Sequence, residues 1–155
     1  MRIFIMRHGE AEQIAKTDSE RNLTLHGRQQ AEEQGTWLSE AANHIDKVIV
    51  SPYNRALQTY DHLAGNTETT LPSEIETWEA VTPYGNSTMV VDYLTTLWQQ
   101  GVKNVLIVSH LPFVEDLVTA LCESPQQVGF STGTIAEVTW EGEEGEFICS
   151  DRPEI

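Results

Sequence analysis

Arg7, His8 and Gly9 follow directly on the apolar run RIFIM at residues 2–6. Arg55 and His110 stand just beyond two further apolar runs, KVIV at 47–50 and NVLIV at 104–108. Two guanidiniums and two imidazoles brought to one place suit an oxyanion, above all phosphate. Arginine meets phosphate oxygens with a planar fork that makes two parallel hydrogen bonds. Each close charge pair contributes about 4 kcal/mol at an effective dielectric near 20 and a separation near 4 Å. Desolvation offsets much of this in the ground state, so the gain is largest when charge spreads over the equatorial oxygens in the transition state. A histidine beside two guanidiniums has its protonated form disfavoured. A neutral imidazole can attack phosphorus in line and take the phosphoryl group. His8 is therefore the expected nucleophile and His110 the expected donor to a transferring oxygen. Gly9 lets the backbone turn close to the site.

These residues converge only if the three apolar runs lie side by side. Each run is short and continuously apolar, and each ends in a turn or helix-start signal: Arg7-His8-Gly9, Ser51-Pro52 and Ser109-His110. Between them the apolar spacing is helical. Thr24 caps a helix expected over 25–41, with Ala31, Gly35, Leu38 and Ala42 on one face. Further helices are expected over 53–64, 87–100 and 112–122. The third carries Met89, Val90, Tyr93, Leu94, Leu97 and Trp98 inward, with Gly101 as its C-cap. The fourth begins at Pro112 and buries Phe113, Val114, Leu117, Val118 and Leu121. Residues 10–23 and 65–85 read as loops, the latter with a short strand near 74–78. A hairpin with strands near 134–140 and 146–150 closes the chain. Continuous apolar strands alternating with amphipathic helices predict a three-layer α/β/α sandwich, its sheet mostly parallel with a C-terminal antiparallel hairpin. Such sheets bind ligands beyond the carboxyl ends of their parallel strands, where Arg7, His8, Arg55 and His110 fall.

The 155 residues fit one domain, 1–155. No apolar run approaches the roughly 20 residues that span a bilayer, and the N-terminus lacks a cleavable leader, so a cytoplasmic protein is expected. With 24 acidic and 9 basic residues the formal net charge is -15, which disfavours nucleic acid and anionic membranes as partners. Cys122 and Cys149 lie in apolar segments and read as buried thiols. No pair of residues has zinc-ligand spacing, so neither a metal nor another cofactor is expected, and His26, His44 and His62 read as surface residues. Nothing demands more than a monomer.

The block Phe4-Ile5-Met6-Arg7-His8-Gly9 resembles the signature of the histidine phosphatase (phosphoglycerate-mutase-like) superfamily. Leu23-Thr24 with Gly27 and Gln30-Ala31 resembles its second block, and Ser51-Pro52 with Arg55-Ala56 and Gln58-Thr59 its third. Val108-Ser109-His110 resembles its last, the four together covering roughly residues 1–135. Within the superfamily the chain is most similar to the SixA-type protein phosphohistidine phosphatases, on its small size, VSPYNRALQT at 50–59, Thr82-Pro83 with Gly85, and VSHLPFV at 108–114. The resemblance implies a bacterial enzyme that removes phosphate from a phosphohistidine on a signalling protein, such as a histidine-phosphotransfer domain. It also implies a pocket of Arg7, His8, Arg55 and His110.

Two features of the chain bear on the substrate. The segments able to cover the site are short, which suits a side chain on a protein surface better than a small molecule that gains from closure. Cleavage of an ester needs an acid for its alkoxide leaving group. Superfamily members acting on esters carry a Glu near the segment 76–85, where Glu79 stands six residues before Gly85. That spacing departs from the family's by a residue or two, so Glu79 reads as a solvated loop residue. The alternatives are a phosphomonoesterase or mutase with Glu79 as acid, and a non-catalytic phosphoprotein-binding module, against which the intact His8 argues. Arg21 is left open between phosphate or partner contact and an ordinary surface role. Ser51 is expected to end its strand and cap the next helix, and Ser131 and Thr132 to serve the turn before the hairpin.

Overall fold

Ile3, Phe4, Ile5 and Met6 are all fully buried, on both faces of the strand they form. That strand is β1, Arg2–Arg7. Successive side chains of a strand point to opposite faces. Ile3 and Ile5 accordingly join one apolar cluster with Ile49, Val105 and Ile107. Phe4 and Met6 join another with Val48, Val50, Leu106 and Val108. The computed structural model describes all residues, Met1–Ile155. Its other strands are β2 (Lys47–Val50), β3 (Glu76–Thr77), β4 (Asn104–Ser109), β5 (Ile135–Trp140) and β6 (Gly145–Asp151). The helices are α1 (Leu25–Ala41), α2 (Asn54–Ala64), α3 (Ser87–Gln99) and α4 (Phe113–Cys122).

The sheet order is β3-β2-β4-β1-β5-β6. Strands β1 to β4 run parallel, while β5 is antiparallel to β1 and β6 to β5. Leu94, Leu97, Leu117 and Leu121 of α3 and α4 cover one face. Leu38, Tyr60 and Leu63 of α1 and α2 cover the other. The expected three-layer α/β/α arrangement is therefore present. No helix is long and apolar enough to cross a membrane.

Register decides where the chemistry goes. Arg7 pairs with Ser109 across β1 and β4, and Val50 with Val108 across β2 and β4. One residue beyond each pairing, the His8 amide still donates to the Ser109 carbonyl and the Ser51 amide to the Val108 carbonyl. His8, Ser51 and His110 thus leave the sheet at the same edge, each at the end of a strand whose apolar residues are all buried.

Two expectations about packing are corrected. Met89 and Trp98 are 48% and 39% exposed, because the inner stripe of α3 is only Val90, Leu94 and Leu97. Trp98 instead lies against the hairpin turn, where a Cβ on Gly142 would meet its ring. Cys149 is exposed and Cys122 only half-buried. Strand β6 is the sheet's outer edge, and the pairing jumps from Val138–Phe147 to Glu137–Cys149, leaving Ile148 as an extra residue. The bulge turns Cys149 away from the layer of α4 that holds Phe147.

Candidate active site

His8 sits at the centre of the strand edge and is 7% exposed. Its Nδ1 lies 2.6 Å from the Gly9 carbonyl oxygen. A carbonyl can only accept, so Nδ1 carries the proton. The Nε of Arg55 donates to His8 Nε2 at 3.3 Å, which requires a lone pair there. The two contacts specify one tautomer, with Nε2 as the free base. Burial is the largest influence on its protonation and pushes the imidazole down to about 3; the Gly9 hydrogen bond opposes this, and Arg55, Arg7 and Arg21 add to it. His8 is therefore neutral throughout the physiological range. The Gly9 amide is held by Thr59 Oγ1 at 3.0 Å. The space beside Gly9 is filled by the Gly27 backbone of α1, into which a Cβ would collide. That close approach is the reason for a glycine here.

Arg55 is held from several sides. Its Nη1 donates to the Asp18 carbonyl oxygen at 2.7 Å and its Nη2 to Asp18 Oδ2 at 3.1 Å. Its guanidinium carbon lies 5.1 Å from the centre of the Tyr53 ring. Asp18 begins a 3-10 turn, Asp18–Glu20, inside the segment expected to be an irregular loop. Its other oxygen accepts from Arg21 Nη1 at 3.0 Å, and Arg21 Nε donates to the Glu12 carbonyl. Arg21 is thus fixed within the loop, near enough to bias His8. Arg7 Nη1 donates to the Phe130 carbonyl oxygen at 3.0 Å, while its buried Nε has no partner in the protein.

His110 is 1% exposed, its ring centre 5.1 Å from that of His8. Its Nε2 lies 2.7 Å from Ser51 Oγ. The Ser51 oxygen also accepts from the Tyr53 amide at 3.3 Å, which leaves its proton and a second lone pair to meet His110 Nε2. His110 Nδ1 is buried with no partner in the protein, and it is a free N–H donor in the tautomer where Ser51 donates to Nε2. Burial, first, and then the neighbouring His8 and arginines hold its imidazole down to about 2. Ser51 does not cap α2, whose N-cap is Tyr53 without a side-chain bond; it orients His110 instead. The unpartnered Arg7 Nε–H and, in that tautomer, the His110 Nδ1–H suit the acceptor oxygens of a tetrahedral anion. Replacing Ser51 by alanine should lower kcat about tenfold or more, with a stability loss near 1 kcal/mol. Steady-state kinetics beside thermal melting would check this, and a wild-type kcat would show that the Ser51 contact does not orient His110.

The other expected residues make no hydrogen bond to the side chains of Arg7, His8, Arg55 or His110. Glu79 is exposed and lines a surface hollow with Trp78, Tyr84 and Met89. Thr132 Oγ1 accepts from Gln30 Nε2, and Ser131 Oγ bonds Thr134 Oγ1, both tying down the turn before β5. Gln30 Oε1 also accepts the Glu10 amide at 2.8 Å, so this buried glutamine staples the loop after His8 to α1. Asp18 and the Ser51 contact are the features of this cluster that residue pattern alone missed. Neither has a motif signal, because each works through a partner distant in sequence.

A model of the histidine phosphatase superfamily (branch 1) matches residues 3–82. A phosphohistidine phosphatase SixA homolog of Haemophilus influenzae is 43% identical over 153 residues, 96% of this chain and 93% of its own. The phosphohistidine phosphatase SixA of Escherichia coli (strain K12) is 40% identical over 139 residues, 90% of this chain and 85% of its own. The solved structure of the protein histidine phosphatase SixA complexed with tungstate superposes with a TM-score of 0.92 at 39% identity, covering 99% of this chain and 97% of that one.

Proposed function

Because the chain belongs to the histidine phosphatase superfamily, we propose that it removes phosphate from a phosphohistidine on a signalling protein, by way of a covalent phosphohistidine at His8. The carrying observation is the His8 tautomer: Nδ1–H on the Gly9 carbonyl and a neutral Nε2 beside the Arg55 Nε–H. Arg7, Arg55 and His110 surround the transferring oxygens. The relative solved with tungstate, a tetrahedral oxyanion, supports an anion of that shape as ligand.

The proton count favours an imidazole leaving group. A phosphohistidine protonated on its second ring nitrogen transfers its phosphoryl group to His8 Nε2. The P–N bond to the substrate breaks, and the substrate leaves as neutral imidazole, keeping that proton. His8 now has phosphorus on Nε2 and its original proton on Nδ1, held by Gly9. Water then attacks phosphorus, the Nε2–P bond breaks, and dihydrogen phosphate leaves while His8 returns to its starting tautomer. No carboxylic acid is needed in either step, whereas an alkoxide leaving group would need one.

The partner class is proposed as a histidine-phosphotransfer domain or another phosphohistidine protein; the strongly negative chain suits neither nucleic acid nor an anionic membrane. The test offers the protein a phosphorylated histidine-phosphotransfer domain alongside a panel of small phosphate esters. Phosphate release from the phosphohistidine protein is expected, with Glu79→Ala turning over at the wild-type rate. Release from esters alone, abolished by Glu79→Ala, would establish the phosphomonoesterase reading instead.

A further inference from the structure

Arg55 is almost fully buried, its side chain 5% exposed, yet the acid that holds it comes from an exposed loop, with Asp18 57% exposed. Both terminal nitrogens of the guanidinium are engaged by Asp18, one by its carbonyl and one by its carboxylate. The Nε edge is the one turned to His8. The carboxylate is also divided: Oδ2 serves Arg55 and Oδ1 serves Arg21. A guanidinium is planar and presents its donors in a rigid fork, so fixing one end fixes where the other end points.

We propose that Asp18 is a positioning residue for the reaction: its carboxylate clamps the far end of Arg55, so that the Nε edge faces the phosphoryl position at His8 Nε2. This rests on the reading of His8 as phosphoryl acceptor. Asp18 faces the guanidinium end-on and leaves the Nε side of the fork for the substrate. Without the clamp, Arg55 keeps the Tyr53 ring, the Asp18 carbonyl and a single 3.3 Å bond to His8 Nε2, and can rotate its donors away from His8. The role is one of aim, and a donor misplaced by about 1 Å can lower a rate about 100-fold.

Asp18→Asn keeps the shape but can accept from only one arginine, since the amide nitrogen repels the other. It should lower kcat about tenfold while leaving the melting temperature nearly unchanged. In the wild-type protein the Arg55 Nε–H should give a sharp, exchange-protected NMR signal, because it is buried and bonded to His8; in Asp18→Asn that signal should broaden into exchange with solvent. A double-mutant cycle separates aim from general loop structure. In an Arg55→Lys background, which has no fork to aim, Asp18→Asn should cause no further loss. A protected Arg55 signal in Asp18→Asn, or losses that multiply in the double variant, would overturn the proposal. So would a higher kcat with tighter tungstate binding, which would make Asp18 a plug. If the wild-type protein were inactive on every phosphorylated substrate offered, the functional reading would fail, and the NMR measurement would still decide the clamp.

Discussion

His8→Ala is expected to lower phosphate release by about 10⁴-fold or more, with the fold intact. Removing a nucleophile that acts as one unit with its neighbours has losses of that order in enzymes with covalent intermediates. The size follows from the geometry. Two separate contacts, the Gly9 carbonyl at 2.6 Å and Arg55 Nε at 3.3 Å, hold one imidazole in one tautomer, and alanine leaves nothing to accept the phosphoryl group. His110 cannot substitute, because its Nε2 is already engaged by Ser51 Oγ at 2.7 Å. A rapid quench after mixing with radiolabelled phosphohistidine protein should trap label on the wild-type chain, stable in alkali and lost in acid. The His8→Ala chain should stay unlabelled. Labelling of that variant at full yield would remove His8 from the mechanism.

The same geometry sets the pH dependence. An ordinary histidine at 6.5 would be about 97% protonated at pH 5 and useless as a nucleophile. His8, held down to about 3 first by burial, stays neutral there. Its lowered value means that protonation, and loss of the nucleophile, begins only as pH falls toward 3. The acid limb of the single-turnover rate should therefore lie well below pH 6. For stability the sign is set by the unfolded chain, which binds the proton more readily. Stability contributed by neutral His8 is present above pH 6.5 and declines as pH falls from there toward 3.

The strands and the four pocket residues were legible in the sequence, for one physical reason. Parallel strands buried on both faces leave a continuous apolar signal, and their carboxyl ends lie at one edge whatever their order. Arg7, His8 and His110 could be placed from that alone, and Arg55 from lying just past Ser51-Pro52. The network that tunes them was not legible. Asp18 reaches Arg55 across 37 positions and Ser51 reaches His110 across 59, so neither pairing has a local pattern. Gln30, on a helix face predicted from its alanines, is buried because its amide bonds both the Glu10 amide and Thr132. A buried glutamine looks in sequence like any polar residue on a helix. The misplaced Met89, Trp98 and Cys149 share a different cause: a one-residue bulge or a narrow buried stripe moves a side chain across the boundary between core and solvent.

Gly27→Ala should be the most damaging substitution remote from the reacting atoms. Gly27 lies in the first turn of α1, where its amide donates to the Thr24 cap at 3.1 Å. An added Cβ would run into the backbone of Glu10, which is no flexible side-chain end and cannot swing aside. The helix and the loop after His8 must separate to admit it. That movement strains the Gln30–Glu10 bond of 2.8 Å and drags Gly9, whose carbonyl fixes the His8 tautomer. A loss of about 3 kcal/mol in stability is expected from overpacking against backbone. A fall in kcat of about 100-fold is expected from displacement of the nucleophile. Gly65→Ala provides the comparison, because there the nearest contact for a Cβ is an ordinary 3.4 Å to the Asp61 carbonyl and φ is -73°. It should be neutral or slightly stabilising, through the unfolded chain. Denaturant unfolding and single-turnover rates on the two variants separate the cases. Wild-type stability and rate in Gly27→Ala would mean that the contact between α1 and the His8 loop is soft, and that the nucleophile is held by the strand alone.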